Sequence, residues 1–159
     1  MNFYKDKNIL ITGGASGIGF AMASIVANNC SHLILVGRNT AKLDEAKATL
    51  SELGNLKITV LSLDISKEDA FDENIKNELL NYDLDILINC AGMGGACEFE
   101  KTEISRFQAV MNVNFYGSLM LTKILTPSIS NKKDGRVVFV SSVAGMLGLY
   151  GFSAYSASK

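Results

Sequence analysis

Asn8-Ile-Leu-Ile-Thr-Gly-Gly-Ala-Ser-Gly-Ile-Gly19 decides how the rest of the chain is read. A short, mostly apolar strand runs into a turn holding Gly13, Gly14, Gly17 and Gly19, and a helix-forming stretch follows. The diphosphate of a dinucleotide needs backbone N–H groups at a helix N-terminus, with no Cβ in its way. Gly13, Ser16, Gly17, Ile18 and Gly19 are therefore the candidate diphosphate-binding residues. A plain tight turn is the competing reading, and the strand before and helix after argue against it.

Outward from this turn the chain alternates strand and helix. Continuous Ile, Leu and Val runs at 8–12, 33–37, 58–63, 86–89 and 137–141 fit parallel strands covered by helices on both faces. Leu43, Ala46, Leu50 and Leu53 form a helical stripe. Ser66-Lys-Glu-Asp69 reads as an N-cap with an acid three residues on, opening a helix over 70–80. A longer helix is expected over 103–125, stopping before Pro127. Successive β-α units predict an α/β fold: one doubly wound parallel sheet of five strands in the order 3-2-1-4-5. That order leaves the fifth strand as an open apolar edge, which invites pairing with another chain.

Ligand contacts are expected at the carboxyl ends of these strands. Val36-Gly-Arg-Asn-Thr40, after the second strand, has no acid to accept from the ribose 2′-OH of NAD. Arg38 can instead pair with the 2′-phosphate of NADP(H), so NADP is the expected cofactor; otherwise Arg38 is a solvated surface residue. Asp64, after the third strand, either accepts from the adenine amino group or serves the turn. Asn89-Cys-Ala-Gly92 ends the fourth strand, and Asn89, Ala91 and Gly92 are small enough to let the backbone approach a cofactor. Cys90 reads as a small buried hydrophobe.

The C-terminal segment carries the proton chemistry. Tyr155 and Lys159, four apart, share one helix face. A lysine ammonium beside a phenol favours the phenolate. At ~4 Å and an effective dielectric of about 20, the attraction is ~4 kcal/mol before desolvation opposes it. That favours general acid/base work at neutral pH. Ser142, thirteen residues before Tyr155 and after the fifth strand, can steady a substrate oxygen as charge builds on it. Asn114 is polar on the otherwise apolar stripe Ile104, Phe107, Met111, Ser118, Leu121 and Leu125. A buried amide without partners costs about 1–3 kcal/mol, so Asn114 bonds a neighbouring backbone, holds a water that carries protons from Lys159, or does both.

Composition excludes some classes. The 159 residues are 48% hydrophobic and 19% charged with a net charge of -1, so no electrostatic signal for nucleic acid is present. The polar start, residues 1–7, shows no secretory signal, and no apolar run reaches the ~18 residues of a membrane span. Three cysteines without metal-ligand spacing read as reduced, intracellular thiols, and His32, the single histidine, as structural or surface.

Together these motifs resemble the short-chain dehydrogenase/reductase family: Thr-Gly-x-x-x-Gly-x-Gly, Asn-x-Ala-Gly, an Asn on the fifth helix, then Ser and Tyr-x-x-x-Lys. The resemblance implies a catalytic tetrad of Asn114, Ser142, Tyr155 and Lys159, in which Tyr155 gives the proton, Ser142 positions the carbonyl and Lys159 also holds the nicotinamide ribose. Within the family, Leu35-Val-Gly-Arg-Asn39, Ile88-Asn-Cys-Ala-Gly-Met93 and residues 137–159 look like the branch of 3-ketodihydrosphingosine (3-dehydrosphinganine) reductases. That likeness implies NADPH-dependent reduction of a long-chain ketone, a cytoplasmic site at the cytosolic face of the endoplasmic reticulum, and a homo-oligomer at full length. Another carbonyl substrate (steroid, sugar or hydroxy acid) and a non-catalytic NADP(H)-binding module are the alternatives. Family members run to about 250 residues, so a fragment lacking the last strands and the substrate loop, with doubtful activity of its own, is also expected.

Overall fold

The computed structural model describes residues 3–54 and 56–159. Five strands, β1 (Asn8–Thr12), β2 (His32–Gly37), β3 (Lys57–Ser62), β4 (Ile86–Asn89) and β5 (Arg136–Phe139), form one sheet in the order β3-β2-β1-β4-β5. All four pairings are parallel, with Thr12 opposite both Val36 and Asn89. The expected topology therefore holds. Strand ends differ from expectation by a residue or two for β2, β3 and β5, because a continuous apolar run does not mark its own limits.

The strands' two faces bury different helices. Ile9, Ile11, Leu33 and Leu35 pack with Ala23 and Val26 of α1 (Gly17–Ala27) and with Leu43 and Leu50 of α2 (Thr40–Ser51). Leu10, Ile34, Val36 and Leu87 pack on the other side. Their partners there are Leu79 of α3 (Glu73–Asn81) and Leu121, Leu125 and Ile129 of α5 (Ser118–Ser130). Burying each such side chain contributes roughly 1.5–3 kcal/mol. Helices on both faces explain why the strands lack polar alternation.

Three helix expectations are corrected. Leu53 lies past the end of α2 and is 47% exposed, so the stripe stops at Leu50. The third helix starts at Glu73 with Asp72 as its cap, the side chain accepting from Ile75 N–H (2.8 Å). Ser66 is occupied instead in donating to Asp64, ahead of a single 3-10 turn at Glu68–Ala70. The long helix is broken into α4 (Ile104–Met111), a π-helical segment at Asn112–Gly117, and α5, which continues past Pro127 to Ser130. Pro127 is exposed in the last turn, where buried Ile129 anchors the helix beyond it. The wide π turn places buried Gly117 so close to the Ile65 carbonyl that no Cβ would fit between them. At its outer end, Ile104 is 71% exposed and leaves the stripe. The last helix, α6 (Ser153–Ser158), follows a 3-10 turn at Val143–Gly145.

The chain runs outward from β1 to β3, then returns to build β4 and β5 on the other side. The order therefore reverses between β1 and β4, and a crevice opens there at the carboxyl ends of the strands. β5 pairs only with β4 among the described residues, and Val138 and Phe139 on it are exposed.

Candidate active site

Thr12, fully buried at the end of β1, ties the two sides of the switch point together. Its Oγ1 accepts from the backbone N–H of Cys90 (3.0 Å) and of Ala91 (2.9 Å). The glycine turn follows, with Gly13 at φ +69° and Gly17 at φ +53°, conformations that favour glycine. A Cβ on Gly13 would come within 3.0 Å of the Ala91 Cα, whereas a Cβ on Gly17 would meet no atom within 4 Å. Ser16 is the N-cap of α1 and makes no capping bond, so the first N–H groups of the helix stand without a side-chain partner. Open space above Gly17 and unpaired N–H groups form a cradle suited to a diphosphate.

Two clefts meet at this turn and share Gly13, Ser16, Ala91 and Gly92 in their walls. One, of about 220 Å³, reaches Arg38, Lys42 and Asp64. The guanidinium of Arg38 makes no hydrogen bond or ion pair among the described residues, and Arg38 is exposed. Asp64 Oδ1 accepts from Ser66 N–H (3.1 Å) and Ser66 Oγ–H (2.7 Å). Burial works against its charge, but Ser66's bonds and the cations Arg38 and Lys67 outweigh it, holding the carboxyl below the usual carboxylate range. Asp64 is thus a turn residue that also faces the cleft.

The other cleft, of about 450 Å³, is lined by Ile18, Gly19, Tyr155 and Lys159 as well as the shared residues. Lys159 Nζ donates to the Val140 carbonyl (2.8 Å) and lies 5.9 Å from the centroid of the Tyr155 ring. The loop after β4 runs alongside: a Cβ on Gly94 would come within 3.2 Å of Tyr155 Cδ2. Asn114 holds Met93 of that loop by both backbone groups, and the Arg106 guanidinium of α4 bonds the Gly94 carbonyl.

The family profile described as short chain dehydrogenase matches residues 7–159. The chain belongs to the short-chain dehydrogenase family. The 3-ketodihydrosphingosine reductase of Bos taurus is 38% identical over 157 residues, covering 96% of this chain and 47% of the relative. Among solved structures, an NAD+-bound xylitol dehydrogenase superposes with a TM-score of 0.88 at 26% identity, over 98% of this chain and 60% of that one. The L-sorbose reductase of Gluconobacter frateurii, complexed with NADPH and L-sorbose, shares the fold with a TM-score of 0.91 at 23% identity, over 99% and 61%. The chain spans about half the length of the curated relatives it matches.

This short-chain dehydrogenase brings most of its motif residues to the joined clefts but sets four outside their linings: Gly17, which faces open space beside them, Asn89, Asn114 and Ser142. Asn89 is buried and turned to α5, its Nδ2 donating to Thr122 Oγ1 (3.1 Å), so its side chain does not line the cofactor clefts. Strand parity explains this: Asn89 shares the face of Leu87, which packs against α5. Asn114 spends its amide on Met93 and Ser158; both N–H groups donate, leaving a water only the spare lone pair of Oδ1. Ser142 is half-buried and its Oγ accepts from Ala144 N–H (3.2 Å), while Ser141 lines the cleft. Cys90 is half-buried; burial pushes its thiol up against the lowering effect of Lys159, consistent with a packing role. His32 is structural: it is buried, its Nε2 lies 2.8 Å from Thr59 Oγ1, and its ring meets Tyr82 edge-on.

Sequence reasoning missed Lys42, the Thr12 latch, Arg106 and Ser158. Lys42, four residues past Arg38, was open to notice as a second cation. The other three depend on contacts across 12 to 79 positions, which no local pattern records.

Proposed function

We propose that this short-chain dehydrogenase reduces a long-chain ketone to a secondary alcohol with NADPH, converting 3-dehydrosphinganine to sphinganine. The observation that carries the reading is the pair of joined clefts, in which Arg38, unpartnered among the described residues, the glycine cradle, Tyr155 and Lys159 line connected walls. Gly13, Ser16, Gly17, Ile18 and Gly19 would hold the diphosphate. Arg38, with Lys42 beside it, would hold the 2′-phosphate, which a carboxylate there would repel. The free oxygen of Asp64 would accept from adenine, Ala91 and Gly92 would let the backbone approach, and Lys159 would hold the nicotinamide ribose. When bound, the cofactor supplies the hydride. Tyr155 would donate the proton to the carbonyl oxygen, with the Lys159 ammonium on the same cleft wall, and Ser142 would steady the oxygen. Asn114 braces the loop beside them. The likeness to 3-ketodihydrosphingosine reductases supports the long-chain ketone as substrate; a cytoplasmic site at the endoplasmic reticulum and assembly as a homo-oligomer are part of the same proposal. No helix among the described residues is long and apolar enough to cross a membrane.

A second reading, cofactor binding without turnover, draws on the engagement of Ser142 Oγ with Ala144 and of Lys159 Nζ with Val140. Following NADPH oxidation with 3-dehydrosphinganine, a steroid ketone, a keto sugar and a keto acid separates the two. Turnover greatest with the long-chain ketone supports the proposal. NADPH binding without oxidation by any ketone supports the second reading and contradicts the first.

A further inference from the structure

The six-residue helix α6 carries Tyr155 and is too short to hold its own shape, since an isolated helix needs about 12–15 residues. Its placement must come from outside. Ser158 is the one buried residue of α6, and it is polar. Its Oγ accepts an amide hydrogen from Asn114 (2.7 Å) and donates to the Tyr155 carbonyl (2.7 Å). The same Asn114 accepts from Met93 N–H (2.8 Å) and donates to the Met93 carbonyl (2.9 Å). Because a backbone N–H can only donate, the Met93 contact fixes which way the Asn114 amide faces. Its remaining hydrogen must therefore point at Ser158.

We propose that Ser158 is a positioning residue. Through Asn114, it locks the backbone of Tyr155 to Met93 on the cleft wall, so that the phenol and the loop beside the cofactor keep one register. Only a group that accepts and donates at once can fill this place. A hydroxyl does both; alanine and valine do neither. Displacement by about 1 Å can cost about 10²-fold in rate, and that kinetic consequence rests on the reductase reading above. The geometry does not.

The test compares Ser158→Ala with wild type, and Ser158→Thr with Ser158→Val, a pair differing mainly in the hydroxyl. Three quantities are read: hydrogen exchange at the Met93 amide, NADPH affinity, and kcat and KM for the ketone. In S158A, exchange at Met93 rises at least about tenfold. kcat falls about 10²-fold, while KM and NADPH affinity stay within about threefold. S158T retains slower exchange and higher kcat than S158V, which reproduces the S158A defect. Wild-type exchange at Met93 in S158A, or equal behaviour of S158T and S158V, overturns the proposal. If S158A fails to fold, the Thr/Val pair decides. If wild type reduces no ketone, the reductase reading fails, and Met93 exchange still decides the role of Ser158.

Discussion

Gly17→Ala and Gly13→Ala separate a glycine kept for a ligand from one kept for the fold. Both positions have positive φ, +53° and +69°, and an L-residue there costs roughly 1–2 kcal/mol. At Gly17 that is the whole cost, because an added Cβ meets nothing within 4 Å. For a chain of this size, the expected fall in Tm is about 2–8 °C. At Gly13 the Cβ would also press to 3.0 Å from Ala91 Cα and 3.2 Å from Ala91 N, both backbone atoms. Overpacking of this kind adds about 1–3 kcal/mol, so Gly13→Ala is the less stable variant. Binding follows the reverse logic. The empty space at Gly17 is where the diphosphate would lie, and losing one or two charge-assisted hydrogen bonds of about 1.5–3 kcal/mol each weakens NADPH at least ~10-fold. Thermal melts and NADPH fluorescence titration of the two variants measure both effects. A Gly17→Ala variant that binds NADPH within about threefold of wild type would refute the cradle argument.

Other outcomes follow from neighbouring features. Arg38→Glu should weaken NADPH by roughly 10–100-fold while sparing NADH, because a charge-assisted pair is lost and a like charge gained; titration with both cofactors checks it. His32 is held below its ordinary value by burial first and by Lys57 second, so protonation is easier in the unfolded chain. Stability is then full above about pH 6.5 and falls as pH drops below it, levelling off beneath the folded value; His32→Gln should flatten that slope in urea melts. Cys30 is buried with its thiol pushed up to about 11, whereas Cys97 is exposed. Iodoacetamide at mildly alkaline pH should therefore label Cys97 first and Cys30 only after unfolding, as read by mass spectrometry.

The sheet was legible because its strands are buried on both faces and so read as uninterrupted apolar runs; β1 and β4 match their expected limits. The glycine turn was legible because sequence alone shows strand, glycines and helix in succession. Boundaries set by competing polar groups were not. Ser66 and Asp72 are both plausible caps, and only the pairing of Ser66 with Asp64 decides for Asp72. The π segment at Asn112–Gly117 answers to the close approach of Ile65 to Gly117, a contact 52 residues apart. The face taken by Asn89 was available from strand parity with Leu87, yet its motif suggested a cofactor contact. Asn114's polarity on an apolar stripe marked it as bonded, but Met93 and Ser158 as its partners required the tertiary fold.

Tyr155→Phe tests the central claim most directly, since it removes one oxygen from a residue that lines the cleft of Lys159 and nothing else. Steady-state NADPH oxidation with 3-dehydrosphinganine and NADPH titration are to be measured on the same preparation. The account predicts a kcat loss of at least about 10²-fold, the usual contribution of a positioned proton donor, with NADPH affinity within about threefold. Turnover undiminished in the phenylalanine variant would contradict it.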